Sequence, residues 1–306
     1  MISSHQLRQK FLDFMTSKGH SVIPSSPLVP KEDPTVLFIN SGMQPLVPYL
    51  MGVQKHPNGL RLANIQKCIR TGDIDEVGDH SHLTFFEMLG NWSIGDYFKK
   101  ESISWTLEFL VSPEWLGLDI NRIYVTVYRG GGDAPRDEES IEIWKEEFGK
   151  YGVNADIGIQ YDFKNPENNL DKNKFIYKIM EMSVRDNWWD LPYKGPCGAS
   201  TEIYYLLDKE PVDFQTSVLP NLSLEEKENY IDKNVMEIWN NVFMEYIGVR
   251  EGRESEPKDL EKLENKNVDT GVGFERVLAV LNGGTNVYQT DVLAPLVAVV
   301  DKWSGS

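Results

Sequence analysis

The run Val268-Asp269-Thr270-Gly271-Val272-Gly273-Phe274-Glu275-Arg276 concentrates residue types that can do chemistry. Gly271 and Gly273, one residue apart, let a backbone approach a ligand closely. The helix expected after them would point its N-terminal amides, with Arg276, toward an anion. The same residues also fit a tight strand-to-helix turn with no ligand. A second run, Lys67-Cys68-Ile69-Arg70-Thr71-Gly72-Asp73, leads through a loop to His82-Leu83-Thr84-Phe85-Phe86-Glu87-Met88-Leu89-Gly90-Asn91. This reads as a β-hairpin with Arg70 ending one strand. Taken singly, Arg70 fits a surface charge and the two Phe residues fit core.

Several elements must position these runs. Between His5 and Lys18 the apolar residues Leu7, Phe11, Phe14 and Met15 recur at i, i+4, i+7 and i+8, which predicts an amphipathic helix stopped by Gly19. Three prolines make Ser21 to Pro30 extended, and Val36 to Asn40 reads as a short buried strand. Helices are expected over Glu101 to Leu110 and Glu138 to Tyr151, and a strand over Ile123 to Tyr128. Loops are expected at Gly130-Gly131-Gly132 and over Pro166 to Lys174. Thr201 to Leu206 and Glu237 to Tyr246 alternate, imperfectly, between polar and apolar residues, so each should bury one face. The charged stretches Leu224 to Asn234 and Arg250 to Asn267 read as solvated helices or loops. Gly273 to Leu281 reads as a helix closed by Asn282-Gly283-Gly284. Strands that do not alternate regularly with helices imply an α+β fold, antiparallel strands with helices outside, rather than a doubly wound parallel sheet.

Composition narrows the function classes. The chain has 306 residues, 41% apolar and 25% charged, which suits a folded globular protein with a substantial core. The N-terminus has no basic start followed by an apolar run, and no stretch of 18 apolar residues occurs, so no membrane segment is expected and a cytoplasmic location is. Two cysteines, Cys68 and Cys197, and five His without metal-ligand spacing make zinc unexpected. A net charge of −16 opposes nonspecific binding to a phosphate backbone, though it leaves room for a local basic face.

Together the two runs resemble motifs 2 and 3 of the class II aminoacyl-tRNA synthetases: an Arg ending one strand, a loop, a Phe-bearing return strand, and a Gly-x-Gly-x-Glu-Arg turn. Five stretches look like the alanyl-tRNA synthetase catalytic domain, in that family's order. They are Thr84 to Asn91, Gly95-Asp96-Tyr97-Phe98-Lys99, Lys194-Gly195-Pro196-Cys197-Gly198, Glu237-Ile238-Trp239-Asn240 and Val268-Asp269-Thr270-Gly271. The N-terminal helix, with Asp33 to Met43, is similar to the motif 1 region. The resemblance extends from about residue 5 to about residue 293.

The resemblance implies a class II synthetase-like antiparallel sheet flanked by helices, with ATP, Mg2+ and alanine as ligands and the acceptor stem of tRNA(Ala) as partner. Adenylation is an in-line attack of a carboxylate on the α-phosphate with pyrophosphate leaving, so catalysis is mostly positioning and charge stabilisation. By resemblance Arg70 would bridge the alanine carboxylate and the α-phosphate, a task for a planar fork of donors. Phe86 would stack on adenine with Arg276 over the opposite face, and Gly273 would lie in the ATP site. Asp269 would accept from the alanine ammonium, with Gly271 leaving room beside it. Met88, Trp189 and Val242 would wall a methyl-sized pocket, Asn240 would reach the substrate's polar end, and Glu237 would hold Mg2+. Such a pocket excludes larger side chains but discriminates poorly against glycine or serine.

The sequence departs from the family in two places. Thr71 to Ser81 is shorter than the usual motif 2 loop, which bears on tRNA contact. After residue 293 there is no room for the family's helical tRNA-recognition, editing and C-terminal modules. The expected organisation is an adenylation domain over 1–293, with 294–306 the start of a missing C-terminal region or a tail. Two other readings stand beside a tRNA-charging core. One is an alanine-adenylating enzyme serving a carrier protein; the other is a noncatalytic paralogue, which the presence of Arg70, Asp269 and Arg276 opposes. Neither composition nor motif sets the oligomeric state.

Overall fold

The computed structural model describes residues 1–30, 37–171, 174–208 and 219–305. Helix α1 (Ser4–Ser17) opens with a capping box: the Ser3 hydroxyl accepts the Gln6 N–H at 3.2 Å and the Gln6 side chain accepts the Ser3 N–H at 2.9 Å. It buries Leu7, Phe11, Phe14 and Met15, the four residues its spacing singled out. The other α-helices among the described residues are α2 (Val47–Leu50), α3 (Lys99–Val111), α4 (Glu138–Lys150), α5 (Val184–Asn187), α6 (Leu224–Asn234), α7 (Phe274–Leu281) and α8 (Ala294–Ser304). None of the described helices is long and apolar enough to cross a membrane.

The strands are β1 (Ser21–Val22), β2 (Arg61–Ile69), β3 (Phe85–Ile94), β4 (Ile123–Tyr128), β5 (Ile157–Ile159), β6 (Ile179–Met182), β7 (Trp188–Trp189), β8 (Gly195–Leu206), β9 (Val235–Gly248) and β10 (Glu261–Gly273). They form one sheet in the order β1-β2-β3-β10-β9-β8-β4-β6-β5, with β7 paired to β8 off that path. From β2 to β4 every pairing is antiparallel; parallel pairs occur at the margins, β1 with β2 and β4-β6-β5. This is the α+β architecture expected from the sequence.

The two faces of the sheet differ in chemistry because side chains alternate along each strand. On one face Leu89, Val268, Val272, Trp239, Phe243 and Ile203 pack under α1, α3, α4 and α7 in the main core. Phe11, Phe109 and Trp239 interlock there with ring centroids about 6 Å apart, a geometry favoured by their quadrupoles. Truncating one such Phe costs about 3–5 kcal/mol. The opposite face of β3, β10, β9 and β8 is open along much of its length and forms the floor of a cleft. Lys99, at the start of α3, is buried against Asp137 at 2.6 Å, and Asp137 also caps α4 by accepting the Ser140 N–H at 3.1 Å.

Some expectations shift. Val36 lies outside the described residues, and Leu37 to Asn40 form no strand: Leu37 is exposed, while Ile39 is held by single bonds to Leu28 and Ile69. Arg250 to Asn267 is solvated as expected over most of its length, but its second part is a strand rather than a helix or loop: Glu261–Asn267 begins β10 along β9, pairing Glu261 with Ile247 and Lys262 with Tyr246. Its side chains are charged because this arm of the hairpin stands in water on both faces, which a charge pattern cannot distinguish from a loop.

Candidate active site

The hairpin expected around Arg70 is β2–β3, in register from Arg61↔Ser93 to Ile69↔Phe85, and the Arg70 N–H closes it on the Thr84 carbonyl at 2.9 Å. Arg70 therefore sits where the strand ends and the loop begins. Its Nε donates to the Asn40 carbonyl at 3.0 Å, and its guanidinium carbon lies 5.2 Å from the Phe86 ring centroid. The loop that follows is built rather than slack. Asp79 accepts the N–H groups of Ser81 and His82 at 2.8 and 2.7 Å, and the His80 carbonyl accepts the Val287 N–H at 3.0 Å.

Strand β10 supplies the floor. Asp269 is paired with Trp92 on β3 and Val242 on β9, Gly271 with Asn240, and Gly273 with Met88. Asp269, Gly271 and Gly273 share one face, so two positions in the middle of the floor carry no side chain. A Cβ on Gly271 would meet the Met88 sulfur at 3.1 Å, and one on Gly273 the Arg276 Cδ at 3.0 Å. The glycines are needed for close approach, since neither has a positive φ. Helix α7 then starts at Phe274. Arg276 on its first turn donates to the Glu237 carboxylate at 2.8 Å and to the Glu237 and Ser81 carbonyls at 3.1 and 3.3 Å. Glu275, on the opposite side of that turn, accepts the Glu87 N–H at 3.0 Å, while Glu87 takes a bidentate pair from Arg8 at 2.7 and 2.8 Å. Those contacts lock α1, β3 and α7 together at the edge of the cleft, which Glu275 also lines; burial pushes the Glu275 carboxyl up to about 7.

The result is one cleft of about 760 Å³ whose lining includes Arg70, Phe86, Met88, Trp189, Glu237, Asn240, Val242, Asp269, Gly271, Gly273 and Arg276. All the residues singled out from the sequence thus converge, though they come from four strands, the residue after β2 and the first turn of a helix. Arg70 lies over the Phe86 ring, and Arg276 is held by Glu237.

The electrostatics of the floor are uneven. Burial pushes the Asp269 carboxyl up to about 7, against the pull of the Trp92 indole N–H, which donates to its Oδ1 at 2.6 Å. Its other oxygen accepts no hydrogen bond from the described residues. Asn240 donates to Glu202 at 3.2 Å, and its own Oδ1 is buried without a partner among the described residues. Glu202 is held well above the usual carboxylate range, first by burial and then by the neighbouring Glu237 charge. Two carboxylates that repel each other in a polar cleft suit a hard cation, which takes one or two such oxygens and keeps water or phosphate for the rest. Glu202 and Glu237 therefore fit Mg2+.

Sequence reasoning missed Glu202, Asn40, Ser41 and Gln44 in the lining, and the rim pair Arg250–Asp190, joined at 2.8 and 2.9 Å. One signal for Glu202 was present: an acidic residue in a strand next to the Glu237 strand. Its pairing to Asn240 on β9 could not be read without the register.

The profile of the family described as "tRNA synthetases class II (A)" matches residues 6–306. The chain belongs to that family of class II tRNA synthetases. Among curated proteins it is similar to "Alanine--tRNA ligase" of Treponema denticola, 43% identical over 305 residues, covering 99% of this chain and 44% of the relative. It is similar to the protein of that name from Treponema pallidum, at 44% identity over 305 residues and the same two coverages. The protein of that name from Rubrobacter xylanophilus is 39% identical over 310 residues, covering 99% of this chain and 30% of the relative. The chain thus spans less than half the length of these relatives.

Proposed function

We propose that the cleft binds ATP and alanine and joins them as alanyl-adenylate, the first half of the reaction named in its relatives, and that the aminoacyl group then passes to the acceptor end of tRNA(Ala). The observation that carries the reading is the meeting of Arg70, Asp269 and Gly271 in one cleft. A fork of positive donors, a buried carboxylate and a floor without side chains are what an α-amino acid requires at its two charged ends and its small side chain. The domain assignment, adenylation over 1–293, belongs to the same proposal.

In this reading the alanine ammonium sits between the free oxygen of Asp269 and Oδ1 of Asn240, and its methyl lies toward Met88, Trp189 and Val242. Arg70 draws the alanine carboxylate and the α-phosphate together. A carboxylate oxygen forms a bond to phosphorus as the bond to the pyrophosphate oxygen breaks, and Arg70 neutralises the charge that develops. Phe86 offers a face to adenine and Gly273 lets the nucleotide approach the start of α7. Glu202 and Glu237 would hold Mg2+, which would supply shielding of the phosphate charge, and Arg276, beside Glu237 at 2.8 Å, would lie over the face of adenine that Phe86 leaves open. No protein nucleophile is required.

The test is exchange of labelled pyrophosphate into ATP with alanine, glycine and serine. Alanine-dependent exchange supports the reading, with weaker signals from glycine and serine because a methyl-sized pocket has only a few kcal/mol with which to separate them. A noncatalytic protein gives none. Aminoacylation of tRNA(Ala) set against loading of a carrier protein then identifies the acceptor.

A further inference from the structure

We propose that Trp92 is a positioning residue for alanine binding: its indole N–H fixes one oxygen of Asp269 so that the other faces the substrate's ammonium. The inference rests on Asp269 being the ammonium acceptor, and adds a residue with no contact of its own to alanine.

Trp92 and Asp269 are direct cross-strand partners on β3 and β10, and Nε1 lies 2.6 Å from Oδ1. The indole is fully buried and has almost no freedom. It crosses Gly90 and Gly42, where a Cβ would come within 2.4 Å and 2.8 Å of ring carbons, so these two glycines form the slot it occupies. Met43, Leu62, Leu191 and Val242 belong to the same buried apolar cluster as the indole. From the other face of the sheet, the Thr270 hydroxyl donates to Asn91 Oδ1 at 2.6 Å, and Asn91 Nδ2 donates to the Tyr97 hydroxyl at 2.9 Å. That hydroxyl in turn meets a His20 ring nitrogen at 2.9 Å. This chain pins β3 to β10 directly behind Asp269. A donor this constrained sets both the plane and the charge of the carboxylate it holds. Without it, the buried carboxyl would be free to rotate and more readily protonated, and a neutral acid attracts an ammonium weakly.

No charged residue stands opposite Asp269 on either neighbouring strand, where Trp92 and Val242 are its partners. The other charged and titratable groups lining the cleft are Arg70, Asp73, His82, Arg185, Asp186, Glu202, Glu237, Glu251, Arg253, Glu275 and Arg276, with Asp190 and Arg250 paired to each other on the rim and Tyr97 behind β3. The indole N–H is the group that holds the Asp269 carboxyl down, so its loss moves that carboxyl further up.

The test is Trp92→Phe, which keeps an aromatic ring and removes the donor. In pyrophosphate exchange at pH 7.5 the alanine KM should rise about 10- to 100-fold, the usual effect of losing a hydrogen bond to a charged group. The ATP KM and the exchange rate at saturating alanine should stay within about twofold, and the acid limb of kcat/KM for alanine should move to higher pH. An unchanged alanine KM, or an ATP KM that rises equally, overturns the inference. Should the variant not fold, the wild-type chain labelled with 15N provides the readout: the Trp92 indole N–H resonance must shift on adding alanine, and an immobile resonance at saturating alanine overturns the proposal. An active wild type with an indifferent W92F removes only this inference, whereas a wild type without alanine-dependent exchange removes the functional reading and this inference together.

Discussion

Replacing Asp269 by Asn should make the chain more stable and at the same time abolish alanine activation. Burial raises the Asp269 carboxyl from 3.8 to about 7, a shift of about three pH units. At about 1.4 kcal/mol per unit, keeping this group ionised costs the folded state at most about 4 kcal/mol. The sign follows from linkage. The folded chain holds the proton more tightly than the unfolded chain, so the stability the carboxyl contributes is whole below pH 4 and is lost as pH rises through about 7. Asn keeps an oxygen for the Trp92 indole N–H and carries no charge, so it loses nothing over that window. The advantage of D269N over wild type should be about 1–2 kcal/mol at pH 5 and grow to about 4 kcal/mol at pH 8. Glu275, also raised to about 7, titrates alike in both chains and cancels. Urea unfolding followed by Trp fluorescence at the two pH values measures the difference. A D269N chain no more stable than wild type at pH 8, or an advantage that does not grow with pH, refutes the argument.

Three further outcomes are expected. Gly271→Ala puts a methyl 3.1 Å from the Met88 sulfur on the cleft floor, so the alanine KM should rise at least about 10-fold while the ATP KM holds; exchange kinetics with each substrate varied separates the two. Arg70→Lys keeps the charge but loses the planar fork, and kcat/KM for exchange should fall about 100-fold or more, since one misplaced stabilising donor is worth that much. Lys99→Met leaves Asp137 buried without its 2.6 Å partner and should destabilise the chain by about 3–5 kcal/mol, seen as a lower urea midpoint.

What the sequence revealed and what it hid have physical causes. The amphipathic spacing of α1 and the β-branched run of β4 are local signals, and both elements appear where expected. The candidate site was legible only through the resemblance of its runs to a known family, since singly its glycines fit a turn and its charges a surface; the fold then brings those residues to one cleft. Glu202 stayed hidden because its role depends on pairing. Between Ile203 and Tyr204 the β8–β9 register shifts by one residue, with Ile238 extra, and this bulge puts Glu237 and Asn240, three residues apart, on the same face. A strict two-residue period would have placed them on opposite faces, and that irregularity is what made the alternation of β9 look imperfect. Trp92 was hidden for a similar reason: in sequence it is one more aromatic residue in a strand, and only the β3–β10 register sets its N–H against Asp269. The slot formed by Gly42 and Gly90 joins residues that no local pattern connects.

The central claim, that this cleft activates alanine, is tested most directly by alanine-dependent exchange of labelled pyrophosphate into ATP, run on the wild-type chain beside D269N. The account predicts robust exchange with alanine in the wild type, weaker exchange with glycine and serine, and loss of the alanine signal in D269N. Exchange that is absent with alanine, or that persists undiminished in D269N, contradicts it.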